Sequence, residues 1–275
     1  MTSLPQIGTL GALGRVFPVR LGGKRSLLLV ERNLYIYRSS WTVIVSGFFE
    51  PLFYLLSVGL GIGGMIGTVA GPDGSQIPYA LFVAPALLAT ASMNGAIAES
   101  TIIFFHKLNY DKVYDAILAT PVSPGDVALG EIAWAVMRAT LYGFGFLVVL
   151  LVMGLFTSPL VVLAVPVATL LAFAFASVGM AATTWMRSWQ DFDLVNLVTL
   201  PMFLFSGTFY PISVYPEPLQ VFVMATPLWQ GIDLIRALVT GVVEPSTLWH
   251  VVYLVAMSLA GLYVVSRRLD KLLRK

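Results

Sequence analysis

Six apolar runs of spanning length follow one another along the chain, at about residues 41–66, 79–103, 129–155, 160–186, 194–211 and 247–267. A helix needs about 20 mostly apolar residues to cross a bilayer core, and helices are one of only two ways to satisfy every backbone polar group there. The pattern predicts an all-α integral membrane protein with six transmembrane helices over residues 41–268, preceded by a segment over 1–40 and followed by a short tail over 269–275. The first run begins only near Trp41, so the leading residues are expected to be mature protein and not a signal peptide. No internal repeat supports an inverted-repeat transporter architecture.

The polar segments between the runs carry their own patterns. In the N-terminal segment, Lys24, Arg25, Glu31, Arg32 and Arg38 recur at spacings near seven, while Leu27, Leu28, Leu34 and Tyr35 occupy another part of the circumference. This amphipathic helix is expected to lie on the inner membrane surface, as a basic anchor or as a contact for a cytoplasmic partner. After the second run, Tyr110, Val113, Tyr114 and Ile117 fall at i, i+3, i+4 and i+7. They predict a short helix over about 108–119 with Asp111, Lys112 and Asp115 turned elsewhere, ended by Pro121 and Pro124. Such a helix is either a loop closure or a device for passing a push from a soluble partner to the membrane. After the fifth run, Phe205-Ser206-Gly207-Thr208-Phe209-Tyr210-Pro211 leads to Tyr215-Pro216-Glu217-Pro218, then Thr226-Pro227-Leu228-Trp229 and Asp233-Leu234-Ile235-Arg236. This stretch is too apolar for a solvated loop and too broken by proline to span. It predicts a re-entrant helical hairpin over about 212–240 on the extracellular side, capping a pathway between spans five and six. Asp233 and Arg236, at i and i+3, are placed to pair on one helical face.

Charge gives the orientation. Of the chain's 275 residues, 58% are hydrophobic and 11% charged, against about 25% charged in ordinary soluble domains. A soluble globule is excluded, and little chain remains for a catalytic domain. Arg15, Arg20, Lys24, Arg25, Arg32 and Arg38 precede the first run, and Arg267, Arg268, Lys271, Arg274 and Lys275 follow the last. Lys107, Lys112 and Arg187 fall in the segments after runs two and four, whereas Arg236 alone falls in those after runs one, three and five. The bias places both termini in the cytoplasm. Trp41, Trp134, Trp185, Trp189 and Trp249 stand near span ends, as an interfacial belt does. The formal charge of +2 gives no reason to expect nucleic acid.

Within the spans, Glu50 lies near the middle of the first run, and Arg138 in the third is a possible mate. A carboxylate at that depth faces the bundle interior or a wet pathway. Glu99 and Glu131 stand near inner span ends, where a structural role is favoured. Cysteine is absent, which removes thiolate metal sites and cysteine nucleophiles. No G-x-x-x-x-G-K-[ST] and no H-E-x-x-H occurs, and His106 and His250 are assigned to opposite faces, so no metal site and no nucleotide hydrolysis is expected on this chain.

The motif Phe205–Pro211 with Pro227-Leu228 and Asp233-Leu234-Ile235-Arg236 resembles the C-terminal signature of ABC-2 type transporter permeases. Tyr114-Asp115-Ala116-Ile117-Leu118-Ala119-Thr120-Pro121, running on to Leu129-Gly130-Glu131-Ile132, is similar to that family's loop between spans two and three. With Glu50-Pro51-Leu52-Phe53-Tyr54 and Phe82-Val83-Ala84-Pro85-Ala86-Leu87-Leu88, the chain looks most like the nodulation-factor export (NodJ) and daunorubicin-resistance branch. The resemblance covers about Asn33 to Arg268. The stretch Phe105-His106-Lys107-Leu108-Asn109-Tyr110 is milder than the charged, glycine-containing cluster many members carry there.

The resemblance implies a permease subunit with no ATPase site of its own, in the cytoplasmic membrane of a bacterium. It implies a dimer with a second copy or a related permease, two copies of an ABC ATPase subunit holding ATP and Mg, and membrane lipids around it. Export of a lipid-linked glycan, lipo-oligosaccharide or hydrophobic drug would follow. Lys112, Tyr114, Asp115 and Ile117 would couple to the ATPase. Glu50, Arg138 and Phe205 would line the substrate pathway, and Phe209, Pro211, Pro227, Trp229, Asp233 and Arg236 would form the extracellular gate. Two other readings stand beside export: an intramembrane enzyme acting on lipid, and a structural scaffold for another complex.

Overall fold

The computed structural model describes residues 25–38, 49 and 52–273. An interface helix, α1 (Arg25–Arg38), precedes α2 (Leu52–Ile66), which is π-wound over Leu55–Ile62. A hairpin of β1 (Thr68–Ala70) and β2 (Gln76–Pro78) leads into α3 (Tyr79–Asn109). Then come α4 (Val113–Leu118), α5 (Pro124–Val152), α6 (Pro159–Thr183) and α7 (Phe192–Phe205). The chain ends with α8 (Glu217–Met224), α9 (Pro227–Thr240) and α10 (Thr247–Leu273).

Among the described residues, α3, α5, α6 and α10 are long and apolar enough to cross a membrane, and α8 with α9 passes as a pair bent by 84°. That makes four or five candidate spans where six are expected. The expected first run is described only from Leu52; its beginning, with Glu50, lies outside the described residues, as do residues 1–24. The fifth run is shorter than expected. Its helix α7 has 14 residues, about 21 Å at helical rise, and stops where Gly207 takes a left-handed φ of 70°.

Three further differences have local causes. The all-α expectation misses the β hairpin, in which Val69 pairs antiparallel with Ile77. Its turn is built on Pro72-Asp73-Gly74: the Asp73 carboxylate accepts from the Ser75 N–H at 3.0 Å, and Gly74 supplies a φ of 78°, the usual chemistry of these turn residues. The helix expected over 108–119 is divided, because Lys112 adopts a left-handed φ of 48°, so residues up to Asn109 continue α3 and α4 starts afresh at Val113. Pro124 opens α5 instead of ending a helix. Ser123 caps it, its hydroxyl accepting from the Asp126 N–H at 3.2 Å while Asp126 accepts from the Ser123 N–H at 2.9 Å, and proline at the first helical position loses no bond.

The bundle centres on α6, which packs against α3, α5 and α10. It presents Ala164, Ala168, Ala172 and Ala176, all buried and four apart, and small residues on one stripe let helices approach closely in lipid. The approach is tightest at Gly261 on α10, where an added Cβ would stand 2.7 Å from the Ser177 Cβ of α6. The outside is apolar as well. Leu141, Phe144, Val148 and Leu151 form one exposed face of α5, a continuous patch that suits hydrocarbon and not water.

Gly261→Val is therefore expected to force α6 and α10 apart and to destabilise the bundle by about 1–3 kcal/mol, the usual range for overpacking. Thermal unfolding of the detergent-solubilised protein measures it; a Tm equal to the parent's would mean the two helices do not meet at this point.

Candidate functional site

The polar groups inside the bundle collect at two places. The first lies beneath α1. On α3, Glu99 and Lys107 are eight residues apart; on α5, Glu131 and Arg138 are seven apart. Arg138 pairs with Glu99, and Lys107 pairs with Glu131 at 2.7 Å. The two helices thus exchange charge of opposite polarity at two levels, about 10–12 Å apart along their axes. Interface helix α1 inserts one side chain at each level. Asn33, fully buried, donates from Nδ2 to Glu131 Oε2 at 3.3 Å and accepts from Lys107 Nζ at 3.3 Å. Tyr37, four residues on and so on the same helical face, donates its hydroxyl to Glu99 Oε1 at 3.4 Å. Its ring lies 5.1 Å under the Arg138 guanidinium and 5.0 Å from Trp134. Arg138 also donates to the Tyr142 hydroxyl at 2.7 Å.

Arg138, for which the sequence offers Glu50 as a possible mate, pairs with Glu99 on the π-wound stretch Glu99–Ile103 of α3; Glu50 lies outside the described residues. The close approach of α1 depends on Gly130, where a Cβ would stand 2.7 Å from Leu29 Cβ and 2.9 Å from Ser26 O. Leu27, Leu28, Leu34 and Tyr35 remain exposed on the other side of α1, where a bilayer surface can take them.

The short helix α4 hangs from this assembly. Tyr114 is buried, its ring 5.4 Å from Phe104. Burial pushes its phenol well above the ordinary tyrosine value, and the adjacent Glu131 carboxylate adds to the shift, so the hydroxyl stays protonated. Ile117 is half-buried against the core. Lys112 and Asp115 are exposed, Lys112 standing at the start of the helix and Asp115 in its first turn. The Arg25 side chain reaches from α1 to the carbonyl of Pro121, just past α4. An aromatic cluster flanks it: Tyr110 stacks on His106 at 5.5 Å and meets Trp189 at 5.7 Å, joining the end of α3 to the turn before α7.

The second collection is at the far end, around the bend between α8 and α9. Arg236 is buried, 4.0 Å above the Phe82 ring, and donates to Gly207 O at 2.8 Å and Phe82 O at 3.4 Å. Asp233 meets His250 Nε2 at 3.3 Å, and His250 Nδ1 is hydrogen-bonded to Gln230. The expected Asp233–Arg236 pair is accordingly not made. Arg236 faces α3 and the Phe205–Pro211 loop, while Asp233 faces α10. The loop is tied to α9 a second time by Ser206 Oγ and Thr226 Oγ1 at 3.1 Å.

The other residues that the resemblance places at a gate take structural posts in this unit. Phe209 packs edge-on to Phe203 at 5.2 Å, and its carbonyl accepts from the Tyr79 hydroxyl at 3.0 Å. Pro211 starts the turn Ile212–Val214, and Pro227 opens α9 behind the Thr226 cap. Trp229 stands edge-on to His250 at 5.5 Å. Phe205 is exposed, 6.1 Å from Tyr215. Among the described residues, Arg138 and Phe205 are not assembled with a third group into one binding centre, and no cluster of three or more His, Asp or Glu is placed to hold a metal. Tyr37 and Gln230 carry no signal in the sequence that marks them; Asn33 enters it only as the start of the family resemblance, and Phe82 only as part of the motif Phe82–Leu88.

Removing one member of a buried ion pair strands the other, at about 3–5 kcal/mol. Lys107→Met is expected to cost that much in thermal unfolding, and Lys107→Met with Glu131→Gln to recover most of it. A double-variant loss equal to the sum of the losses of Lys107→Met and Glu131→Gln measured singly, giving no coupling in the cycle, would show the pair to be incidental.

The family model for the ABC-2 type transporter matches residues 25–240. "Nodulation protein J" of Rhizobium leguminosarum bv. viciae is 31% identical over 255 residues, covering 90% of this chain and 96% of that one. The protein of the same name from Sinorhizobium fredii (strain NBRC 101917 / NGR234) is 34% identical over 194 residues, 70% of this chain and 72% of its own. That from Rhizobium meliloti (strain 1021) is 34% identical over 199 residues, 72% and 74%. With a helical bundle of membrane-crossing length, and with the family's match extending from the interface helix to the end of α9, the chain belongs to the ABC-2 type transporter family, as a multi-pass membrane subunit.

Proposed function

We propose that this subunit is the permease half of an exporter that moves an amphipathic molecule out of the cytoplasm or inner leaflet, driven by ATP hydrolysed on two separate ATPase subunits. Six spans complete it: the run from Trp41 through α2 as the first, and α7 with residues 206–211 as the fifth. Both termini and α4 then face the cytoplasm of a bacterial inner membrane, and the bent α8–α9 pair re-enters from the outside as a gate. A second copy, or a related permease, supplies the other wall of the pathway. Glu50, on the first span, would line it.

The observation that carries this reading is the construction of α4. Tyr114 roots the helix between α3 and α5 beside Glu131, while Lys112 and Asp115 stay exposed at its tip. A load applied there reaches both helices through Tyr114 and the Lys107–Glu131 pair, and reaches α1 through Asn33. The cargo class rests on the resemblance and on the name that the relatives carry: a lipo-oligosaccharide or lipid-linked glycan, with a hydrophobic drug as the other form. No observation favours an intramembrane enzyme: among the described residues Arg138 is already held by Glu99 and Tyr142, Lys107 by Glu131, and Arg236 by backbone carbonyls.

Charge reversal at the tip tests the coupling role without touching the anchor. Lys112→Glu with Asp115→Lys is expected to weaken association with the co-purifying ATPase by about tenfold, a change of about 1.4 kcal/mol, with the Tm of the permease unchanged. ATPase association and cargo-stimulated hydrolysis equal to the parent's would remove α4 from the coupling path. A chain that co-purifies with no ATPase would remove the whole reading.

A further inference from the structure

Among the described residues, helix α7 has its closest backbone packing on the turn Trp189–Asp191 that precedes it, with Phe203 reaching Tyr54 of α2 at 6.2 Å between ring centres. It therefore stands off α6, and the gap between them is a cavity of about 870 Å³, within the about 300–1,000 Å³ of sites that hold small molecules. Its body is hydrocarbon: Ile97 from α3, Phe175 and Val178 from α6, and Val198 and Met202 from α7. Pro227, where α9 begins, lines one end, and Trp185, Arg187 and Ser188 line the other, beside the C-terminus of α6.

That mouth has a distinctive charge arrangement. The Arg187 guanidinium has no hydrogen-bond or salt-bridge partner among the described residues. Asp191, two positions past Trp189, uses its Oδ2 to accept from the backbone N–H groups of Arg187 and Ser188, at 2.6 and 3.1 Å. A second guanidinium stands alongside: Arg268 of α10 lies 4.4 Å over the Trp185 ring and donates to Thr184 O at 3.2 Å. Arg187 at the rim, and Arg268 over the Trp185 ring that lines it, thus outnumber the one carboxylate of the lining, Asp191, which accepts from the backbone and is attracted by Arg187. The rim asks for an anion, while the interior offers it nothing polar. A long apolar slot with a net cationic, indole-bearing mouth at a helix end is complementary to an anionic phospholipid. A second copy of this chain would bring the same cations to the same rim.

We propose that this cavity holds one resident anionic phospholipid per subunit, an acyl chain lying between α6 and α7 and the phosphodiester on Arg187 and the Ser188 hydroxyl. The lipid fills the space that side chains leave and fastens α7 to the bundle. It is a component of the subunit and not its cargo, so the site stands whether or not the export reading does.

Native mass spectrometry of the full chain, delipidated in maltoside detergent and titrated with palmitoyl-oleoyl phosphatidylglycerol, tests this. One tightly held lipid per chain is expected, with phosphatidylethanolamine bound more weakly. Val198→Trp, which fills the slot, should abolish the tight adduct. Arg187→Gln, at an exposed position that no packing depends on, should weaken it by about tenfold with the lipid-free Tm unchanged, and reads the site even if Val198→Trp fails to fold. Equal retention by the parent and Arg187→Gln would mean exchangeable annular lipid only and would overturn the proposal. The absence of native cysteine allows a further arm: efficient bis-maleimide cross-linking between two copies of Val198→Cys, insensitive to added lipid, would assign the groove to a second copy and equally overturn it.

Discussion

Two ion pairs of opposite polarity between α3 and α5 are the constraint around which the cytoplasmic-facing half of the proposed transporter is organised. A buried pair gains little net stability, because desolvating both charges offsets most of their attraction. What it does well is forbid alternatives. If α5 slid along α3 by a turn, Glu131 and Arg138 would leave their partners and stand uncompensated in an apolar bundle. Crossing the polarity from Glu99–Arg138 to Lys107–Glu131 makes the register unique, since a flipped alignment would set like charges together. Asn33 and Tyr37 add α1 to the same lock, so the interface helix is positioned by the charges of the spans and not by the membrane surface alone.

The rest of the bundle is held by a different force. No hydrophobic drive brings helices together in lipid, so close packing has to do it. The alanine stripe of α6 and the contact of Gly261 with Ser177 are the means. Where large side chains replace small ones, contact is lost: α7 shows Leu197 and Leu200 to the outside and turns Leu194 and Val198 to the cavity beside α6. The two ends of the molecule also differ in kind. Near α1 the polar groups are paired charges between side chains. Around the bent α8–α9 pair, Arg236 is spent on carbonyl oxygens and an aromatic face, which fastens an irregular loop whose backbone needs partners inside an apolar setting.

Most of the architecture was legible because it rests on hydropathy. The runs that became α3, α5, α6 and α10 are long, and their identity depends on composition summed over many residues. The break between α8 and α9, where the pair bends by 84°, was legible because Pro227 cannot continue the preceding helix. Element ends were less so: Pro124 looked like a stop and is a start, a distinction made by the Ser123 cap in front of it. Pairings were least legible. Spacing along one helix correctly put Asp233 and Arg236 near each other, yet each found a better partner on a different helix. Glu99 reaches Arg138 through a π-wound stretch that no residue type announces. Of the coupling residues, the burial of Tyr114 follows from its place on the apolar stripe with Val113 and Ile117, and the exposure of Lys112 and Asp115 from their absence from it.

Lys112 gives α4 a mechanical character that helix and anchor alone do not describe. It is the sole non-glycine residue with positive φ among those described, and a side chain held in that region costs about 1–3 kcal/mol. Glycine would make the same corner without strain, but it would also make several others. A lysine tolerates few neighbouring geometries, so the joint between α3 and α4 is stiff: it trades folding energy for a narrow range of angles. A soft hinge would absorb a displacement at the tip as local bending. A stiff corner would transmit it, so in the proposed exporter stiffness at one backbone torsion would set how far a movement outside the membrane survives into the helices that cross it.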